Sequence, residues 1–325
     1  MKTSKKVIVL GSGNSGSGAI YDYLANRPDF CAPLDKEFRL IQDPGGLADL
    51  YKSYSDGSGP ERISAAINDF IDFSNRCGRS NRLYGNVINA RYGNGYKLLL
   101  EKYYDKVNSF IASISKRLDD DENSSGFLRL ISQFRQRLNG KPIDHGLLFP
   151  IVDEAGFLRE TEKFLDDLLV PQSVKETQNM NAIAIDQGGS FWSPQCSTKF
   201  YGENRKVVVV SRDPRGVFNS FKTKGLAYPG NDVRLFCNWY KAVMKHINNE
   251  EWKSDKVFHI SYEFFVLNFE SEKKRLDQFL EIDSRLSTSA DMERSAYNAR
   301  KFEKLLSNSE KDFIKTELNE FITEN

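Results

Sequence analysis

The run at 206–211, with the sequence KVVVVS, is the feature that most constrains the fold. Four successive valines make both faces of a strand apolar, and β-branched side chains favour extended backbone. Such a strand is typical of a parallel sheet that helices cover on both faces. Similar apolar runs alternate with amphipathic helical patterns, the runs at 7–10, 181–185 and 256–261 and the helical patterns at 18–25, 216–222, 233–248 and 270–280. The alternation predicts a three-layer α/β fold.

The middle of the chain, from about residue 60 to 171, follows a different pattern. Helical patterns succeed one another there without a clear strand, at 62–73, 97–118, 126–138 and 154–169. We therefore expect a single α/β domain over 1–325 that carries a large helical insertion. The part at 76–141 holds thirteen Lys or Arg against six Asp or Glu. Most such stretches are solvent-exposed helix faces. The alternative is a positively charged surface that binds an anionic substrate.

Composition excludes several classes of protein. The 46 basic and 45 acidic side chains leave a formal charge of +1, which gives no overall reason to bind nucleic acid or a membrane. The four cysteines stand far apart, so neither a zinc site nor a disulfide framework is indicated. No segment approaches the ~20 apolar residues of a membrane span. The apolar run after the N-terminal lysines is too short for a signal peptide. We expect a cytoplasmic protein without a metal, and composition does not indicate its oligomeric state.

The first apolar run leads into a loop rich in glycine and serine, in the sequence KKVIVLGSGNSGSGAI at 5–20. Glycines let a chain turn tightly so that its N–H groups converge on a phosphate, and a helix that begins there adds its positive dipole end. Serine hydroxyls add further donors. The loop therefore predicts a phosphate site at Gly13, Ser15, Gly16, Ser17 and Gly18. A strand-to-helix turn that binds nothing is the alternative.

Two familiar nucleotide-binding motifs fit this loop less well. A dinucleotide fingerprint needs a second strand that ends in an acidic residue about 20 positions on, and the stretch NRPDFCAP at 26–33 contains no such strand. A nucleoside-triphosphatase loop needs a lysine after its last glycine, where this chain has Ser17 after Gly16. Both interpretations are disfavoured.

A second candidate anion site follows the valine strand, in the sequence RDPRGVFNSF at 212–221. Arg212 stands at the end of the strand, and Ser220 lies two turns along the helix that follows. The carboxyl ends of parallel strands share one edge of the sheet, so this arginine belongs to the same edge as the glycine loop.

Together the two motifs resemble the sulfotransferases that use 3′-phosphoadenosine 5′-phosphosulfate (PAPS), and most closely the bacterial and glycan-type members. In that family a strand-loop-helix unit near the N-terminus holds the 5′-phosphosulfate. A later Arg-Asp-Pro, with a serine eight residues after the arginine, holds the 3′-phosphate. Arg212 and Ser220 have that spacing. The resemblance implies a P-loop-like parallel sheet, PAPS as co-substrate and no metal.

Three further segments are similar to the same family. The segment DKEFR at 35–39 resembles the Lys-Glu-aromatic element of glycan sulfotransferases, which implies that Glu37 is the catalytic base. The segment SYEFFV at 261–266 looks like the Tyr-Glu element of the family. The segment SAYNARKF at 295–302 resembles its basic loop, which implies 3′-phosphate contacts for Arg300 and Lys301.

Two positions depart from the pattern. Asn14 stands where the family has a lysine or arginine at the bridging oxygen of the breaking bond, and Gln187 stands where a second lysine is common. We expect transfer of a sulfuryl group from PAPS to a hydroxyl or amine of a carbohydrate, glycolipid or small metabolite, with the insertion on the acceptor side. The neutral residues motivate an alternative, a non-catalytic nucleotide- or glycan-binding protein of the same fold. A P-loop kinase-like phosphotransferase is a weaker alternative.

Overall fold

The computed structural model describes residues 5–35, 37–79, 95–117, 147–171, 182–225 and 227–322. These residues belong to two compact units, one formed by 1–39 with 169–325 and the other by 40–168. The predicted single domain, with an insertion at about 60–171, stays a prediction. The helix predicted at 126–138 and most of the basic stretch at 76–141 lie outside the described residues.

The described strands are short, and they are numbered here in chain order as β1 Lys5–Gly11, β2 Phe30–Cys31, β3 Ser115–Arg117, β4 Leu148–Pro150, β5 Ala182–Asp186, β6 Arg205–Ser211 and β7 Val257–Ser261. The described α-helices are α1 Ser17–Ala25, α2 Leu47–Ser55, α3 Pro60–Gly78, α4 Tyr96–Leu99, α5 Tyr103–Ile114, α6 Glu154–Leu169, α7 Pro194–Thr198, α8 Pro214–Thr223, α9 Ala227–Gly230, α10 Val233–Met244, α11 Asn249–Trp252, α12 Tyr262–Leu267, α13 Phe269–Leu280, α14 Met292–Ala299, α15 Lys301–Leu305 and α16 Asn308–Glu317. Short 3₁₀ helices cover Lys199–Tyr201 and Asn319–Phe321. Among the described helices, none combines the length and the apolar character that a membrane span requires.

The first unit is built on a parallel sheet with the strand order β2-β5-β1-β6-β7. Strand β1 lies between β5 and β6, with Val9 opposite both Asp186 and Val208. The four strands predicted from apolar runs are confirmed as β1, β5, β6 and β7. Strand β2 was not predicted, because two residues show no periodicity.

Helices cover both faces of this sheet, which confirms the predicted α/β class. Val208 and Val210 belong to one core cluster with Ile20 of α1, and Phe265 of α12 packs there too. The alternate residues of β6, such as Val209, point to the opposite face and are also fully buried. Successive valines therefore fill two cores, as the sequence indicates.

The second unit contains two strands where the sequence showed helical patterns without a clear strand. Strands β3 and β4 pair antiparallel there, with Ser115 opposite Pro150. The helix predicted at 97–118 is divided into α4 and α5, since Lys102 between them adopts a left-handed conformation with a φ of 51°. Three-residue strands are too short for an alternating pattern to indicate them. Aromatic packing forms the core, where the Phe110 ring stacks on Phe164 at 4.7 Å.

A buried ion cluster joins the end of α1 to α13 in the first unit. The Arg27 guanidinium is fully buried and donates to both carboxylate oxygens of Asp29, at 2.9 and 3.0 Å. Its Nη1 donates to the Tyr23 hydroxyl at 2.8 Å and lies 3.7 Å from the Asp277 carboxylate. Tyr23 in turn donates to Asp277 at 2.6 Å. Each charge is out of water, so each depends on its partners.

We predict that Arg27→Ala lowers the free energy of unfolding by about 3–5 kcal/mol, because it leaves two buried carboxylates without their cation. Urea denaturation monitored by circular dichroism measures the change. Arg285→Ala is the matched control, since that side chain is 88% exposed and its pair with Asp283 is a surface pair. The control should change the free energy of unfolding by at most about 1 kcal/mol. Equal losses in the two variants would contradict the prediction.

Candidate active site

The glycine loop leaves β1 at Gly11 and enters α1 at Ser17 in a tight turn. The Ser15 amide donates to the Ser12 carbonyl at 2.9 Å. Gly16 precedes the helix with a φ of +82°, and a Cβ at that position would come within 2.5 Å of the Tyr262 ring. Only glycine meets both conditions, because its left-handed backbone carries no side chain to clash.

The loop has an open apex and an unpartnered hydroxyl. A Cβ at Gly13 would meet no atom within 4 Å, so a ligand can approach the backbone closely there. The Ser15 hydroxyl is buried without a hydrogen-bond partner among the described residues. It faces Gly11, where a Cβ would come within 2.0 Å of Ser15 Oγ. A buried donor without a partner is expensive, and a bound anion would satisfy it.

Gln187 holds the two ends of the loop together. Its backbone amide donates to the Val9 carbonyl at 2.8 Å, which continues the pairing of β5 with β1. Its side chain accepts from the Gly11 amide at 3.3 Å and donates to Ser17 Oγ at 2.9 Å. The family resemblance places a second lysine at position 187. In this chain the position holds Gln187, which is buried and links Gly11 to Ser17.

Arg212 extends from the end of β6 and joins three segments of the first unit. Its Nη1 donates to the Asn14 carbonyl and to Ser220 Oγ, each at 3.1 Å. Its Nη2 donates to the Asn298 carbonyl at 3.3 Å. The structure thus brings the predicted arginine, its serine eight residues on and the glycine loop into contact.

The Arg212 guanidinium lies over an aromatic ring and beside a buried carboxylate. Its central carbon is 4.8 Å from the Tyr262 ring centroid, a cation–π contact. Its Nε is 3.7 Å from Glu263 Oε1. Burial raises the pKa of Glu263, and the Arg212 charge opposes that shift. Glu263 also accepts from the Asp213 amide and the Ser261 hydroxyl, each at 3.2 Å, so it fixes the start of α8.

The neighbouring Arg215 is directed away from the loop. It donates from Nε and Nη2 to the two oxygens of Asp213, at 2.9 and 2.6 Å. Its guanidinium also lies 4.9 Å from the Phe302 ring centroid. This bidentate pair raises the pKa of Arg215 and holds the side chain at the beginning of α8.

The two predicted basic residues near the C-terminus follow α14. Arg300 is exposed and lies at the junction of α14 and α15, two positions after Asn298, whose carbonyl binds Arg212. Lys301 begins α15, and its ammonium lies 5.2 Å from the Tyr297 ring centroid. The Tyr262 hydroxyl donates to the Ser295 carbonyl at 2.7 Å, so α14 is connected to the ring over which Arg212 lies.

Glu37, the predicted base, is exposed and paired. Its Oε2 lies 2.8 Å from Nη1 of Arg39, and 53% of its side chain is accessible to solvent. The next residue, Phe38, donates from its amide to the Asp186 carbonyl at 2.7 Å, so the segment runs past the end of β5. Lys36, which belongs to the same sequence element, lies outside the described residues.

Asp186 is a second carboxylate at this point, and the sequence reasoning missed it. Its Oδ1 is buried without a hydrogen-bond partner among the described residues. Burial, then the charges of Glu37 and Asp22, raise its pKa to about 7, against the opposing effect of Arg39. The available signal was its place, since an acidic residue that directly follows the apolar run of β5 stands at the functional edge of the sheet.

Lys224 is a second residue that the sequence reasoning missed. Asn14 has a φ of +64°, and its side-chain oxygen accepts from the Lys224 ammonium at 2.5 Å. Lys224 follows α8, and its amide donates to the Ser220 carbonyl at 3.1 Å. The available signal was the spacing, because a residue four positions after Ser220 lies on the same face of a helix.

Comparisons with known proteins give structural likenesses only. No family model matches the chain, and no curated protein matches its sequence. The sulfotransferase domain from the curacin biosynthetic pathway is 12% identical with a TM-score of 0.43, and the match covers 98% of each chain. The sulfotransferase domain of the Synechococcus PCC 7002 olefin synthase is 13% identical with a TM-score of 0.41, covering 100% of this chain and 98% of that one. Sulfotransferase STF9 from Mycobacterium avium is 12% identical with a TM-score of 0.37, covering 100% and 78%. All three TM-scores lie below 0.5.

We predict that Asp186→Asn removes part of the pH dependence of stability. The folded pKa of about 7 exceeds the ordinary value of 3.8, so the folded state holds a proton that the unfolded state releases. This contribution is complete below about pH 4 and is lost as the pH rises to about 7. Thermal unfolding from pH 4 to 8 should show the variant gaining stability relative to the wild type as the pH rises.

The control for this experiment is Asp312→Asn, at an exposed carboxylate of α16. Its melting temperature should follow the wild-type curve across the same pH range. If Asp186→Asn also follows that curve, the raised pKa is wrong.

Proposed function

We propose that this protein is a PAPS-dependent sulfotransferase. The observation that carries the proposal is the set of contacts made by Arg212, whose guanidinium binds the glycine loop at Asn14 and the hydroxyl of Ser220. Two loops that predict anion sites are thereby held side by side. Two neighbouring anion sites suit a nucleotide with phosphates on both its 3′ and 5′ positions, and they suit a linear triphosphate less well.

The residues present fit such a ligand. Ser15 Oγ is a buried polar atom without a hydrogen-bond partner among the described residues, and Gly13 leaves the loop open. Helix α1 begins at this loop, so its unpaired N–H groups and positive dipole end face an anion. We assign the 5′-phosphosulfate to Gly13–Gly18, and the 3′-phosphate to Arg212 and Ser220 with Arg300 and Lys301.

When bound, the donor supplies a sulfuryl group: the acceptor oxygen or nitrogen bonds to sulfur while the bond between sulfur and the bridging oxygen breaks, and its electron pair stays on the phosphate. Such loose transfer depends on positioning and electrostatics, as phosphoryl transfer does. The loop amides and the Asn14 amide are the proposed hydrogen-bond donors to the oxygen on which charge would develop. A carboxylate must take the proton that the acceptor loses.

We assign that proton transfer to the pair formed by Glu37 and Asp186. Glu37 is the exposed member, so it is accessible to an acceptor and is the proposed base. Asp186 is the half-buried member with one buried oxygen, and its pKa of about 7 reflects burial and the nearby Glu37 charge. The acceptor is a hydroxyl or amine of a carbohydrate, glycolipid or small metabolite, and the glycan preference rests on the segment around Glu37. The cytoplasmic location stays a prediction.

The neutral side chains in the loop support a second candidate function. Asn14 and Gln187 carry no charge, and Gln187 serves as a clamp on Gly11 and Ser17. A protein that binds the nucleotide without transferring a sulfuryl group would keep the Arg212 contacts and need no cation at the loop. Binding and turnover experiments separate the two candidates.

We predict that the wild-type protein binds 3′-phosphoadenosine 5′-phosphate (PAP) more tightly than ATP or NAD in isothermal titration calorimetry. Arg212→Ala should weaken PAP binding by about 100-fold, because it removes a buried charged donor from the anion. Arg234→Ala is the control, since it removes the same charge from an exposed position on α10. A preference of the wild type for ATP or NAD would overturn the assignment.

We predict that Glu37→Gln lowers turnover of labelled PAPS over an acceptor panel by about 10²-fold or more, the usual effect of a missing general base. Asp186→Asn, the matched change at the less exposed carboxylate, should lower it by less than about 10-fold because Glu37 is the proposed base. The opposite order would make Asp186 the base. Wild-type binding of PAP without any turnover would favour the non-catalytic candidate.

A further inference from the structure

The glycine loop carries no basic side chain between Gly11 and Ser17, yet an ammonium lies against it. We propose that Lys224 is the cation of the 5′-phosphate subsite, supplied by the end of α8 in place of a lysine within the loop. The proposal rests on the function proposed above. It goes further, because it assigns the charge of one specific phosphate to a residue outside both anion-binding motifs.

The position of Lys224 follows from the course of α8. The helix ends at Thr223, and Gly225 turns the chain with a φ of +65°, so the lysine stem leaves the helix at its last turn. Lys224 lies four residues after Ser220, whose hydroxyl binds Arg212. The helix therefore presents Ser220 and Lys224 on one face, toward the glycine loop.

The environment of Lys224 differs from that of the other lysine in this turn. Lys222 pairs with the carboxylate of Glu310 at 2.8 Å, an ordinary surface ion pair. The Lys224 ammonium instead binds the neutral oxygen of Asn14 at 2.5 Å. Among the described residues Lys224 has no carboxylate partner, and an ammonium has three donors, so two are left for an anion. Lys224 can therefore offer hydrogen-bond donors beside the loop.

The conformation of Asn14 explains why the charge comes from elsewhere. Asn14 adopts a left-handed backbone with a φ of +64°. Asparagine tolerates this conformation, whereas it costs most other residues roughly 1 kcal/mol or more. Both oxygens of Asn14 contact cations, the carbonyl Arg212 Nη1 and the side-chain oxygen Lys224 Nζ. The loop therefore keeps its shape with Asn14 and obtains its charge from Lys224.

This arrangement divides the two phosphates between two cations. Arg212 lies with Ser220 on the side of the 3′-phosphate, and Lys224 lies at the apex of the loop with the 5′-phosphate. When the sulfuryl bond breaks, its electron pair remains on the 5′-phosphate oxygen, so the added negative charge develops beside Lys224. A preorganised group at such a position typically contributes about 10²–10³-fold in rate.

The test measures binding of three ligands by calorimetry, namely PAP, adenosine 5′-monophosphate and adenosine 3′-monophosphate. Lys224→Met should weaken PAP and the 5′-monophosphate by about 10-fold, the usual cost of one charged hydrogen bond. It should leave the 3′-monophosphate within about 2-fold of the wild type. Lys224→Arg restores a cation and should retain most of the wild-type affinity for PAP. Lys222→Met, on the same turn of the helix, is the matched control and should change none of the three.

The outcomes separate this inference from the proposed function. If the wild type binds PAP and Lys224→Met keeps its affinity for the 5′-monophosphate, the inference is overturned and the proposed function stands. Equal losses for both monophosphates would show a merely structural role and also overturn it. If the wild type binds none of the three ligands, the proposed function fails together with the inference.

Discussion

The guanidinium of Arg212 occupies the carboxyl edge of the parallel sheet, and the arrangement of the site depends on its contacts. It binds the carbonyls of Asn14 and Asn298 and the hydroxyl of Ser220, which come from three separate segments of the chain. Its side chain is 9% exposed, so its charge requires compensation from Glu263, which is 3% exposed. Removing either partner would leave a buried charge, typically at a cost of several kcal/mol.

The balance of charges around Arg212 determines where a bound anion would be attracted most strongly. Arg212 and Arg215 are matched by Glu263 and Asp213, so the four formal charges of this buried cluster cancel. The cluster is consequently an organised set of donors and carries no excess of positive charge. Excess charge comes from residues at its margin, and the lysine that follows α8 stands beside the loop that begins α1. The Arg212 cluster therefore fixes the geometry of the site, and Lys224 supplies the positive charge that attracts an anion.

Much of the first unit could be predicted from the sequence, because four apolar runs and their following helices are local patterns. The contact between Arg212 and Ser220 could also be predicted, since the two residues are eight positions apart on one strand-to-helix connection. Strands β3 and β4 were not, as three-residue strands give no period. Asp186 and Lys224 were missed for another reason. The raised pKa of Asp186 depends on charges from α1 and the segment at 37–39, and the contact of Lys224 with Asn14 spans 210 positions. Neither property is local in sequence.

Two of the three hydrogen-bond partners of Arg212 are main-chain carbonyls, at Asn14 and Asn298. A carbonyl is the same in every amino acid, so the shape of the backbone determines these contacts and the identity of the residue does not. Position 298 can therefore vary as long as helix α14 keeps its course, whereas Asn14 is held by its left-handed backbone and by the contact of its side chain with Lys224. Among the described hydrogen-bond partners of the guanidinium, Ser220 is the one that uses its side chain, so this contact depends directly on the type of residue. Chains with few identical residues can accordingly retain this arrangement of the site.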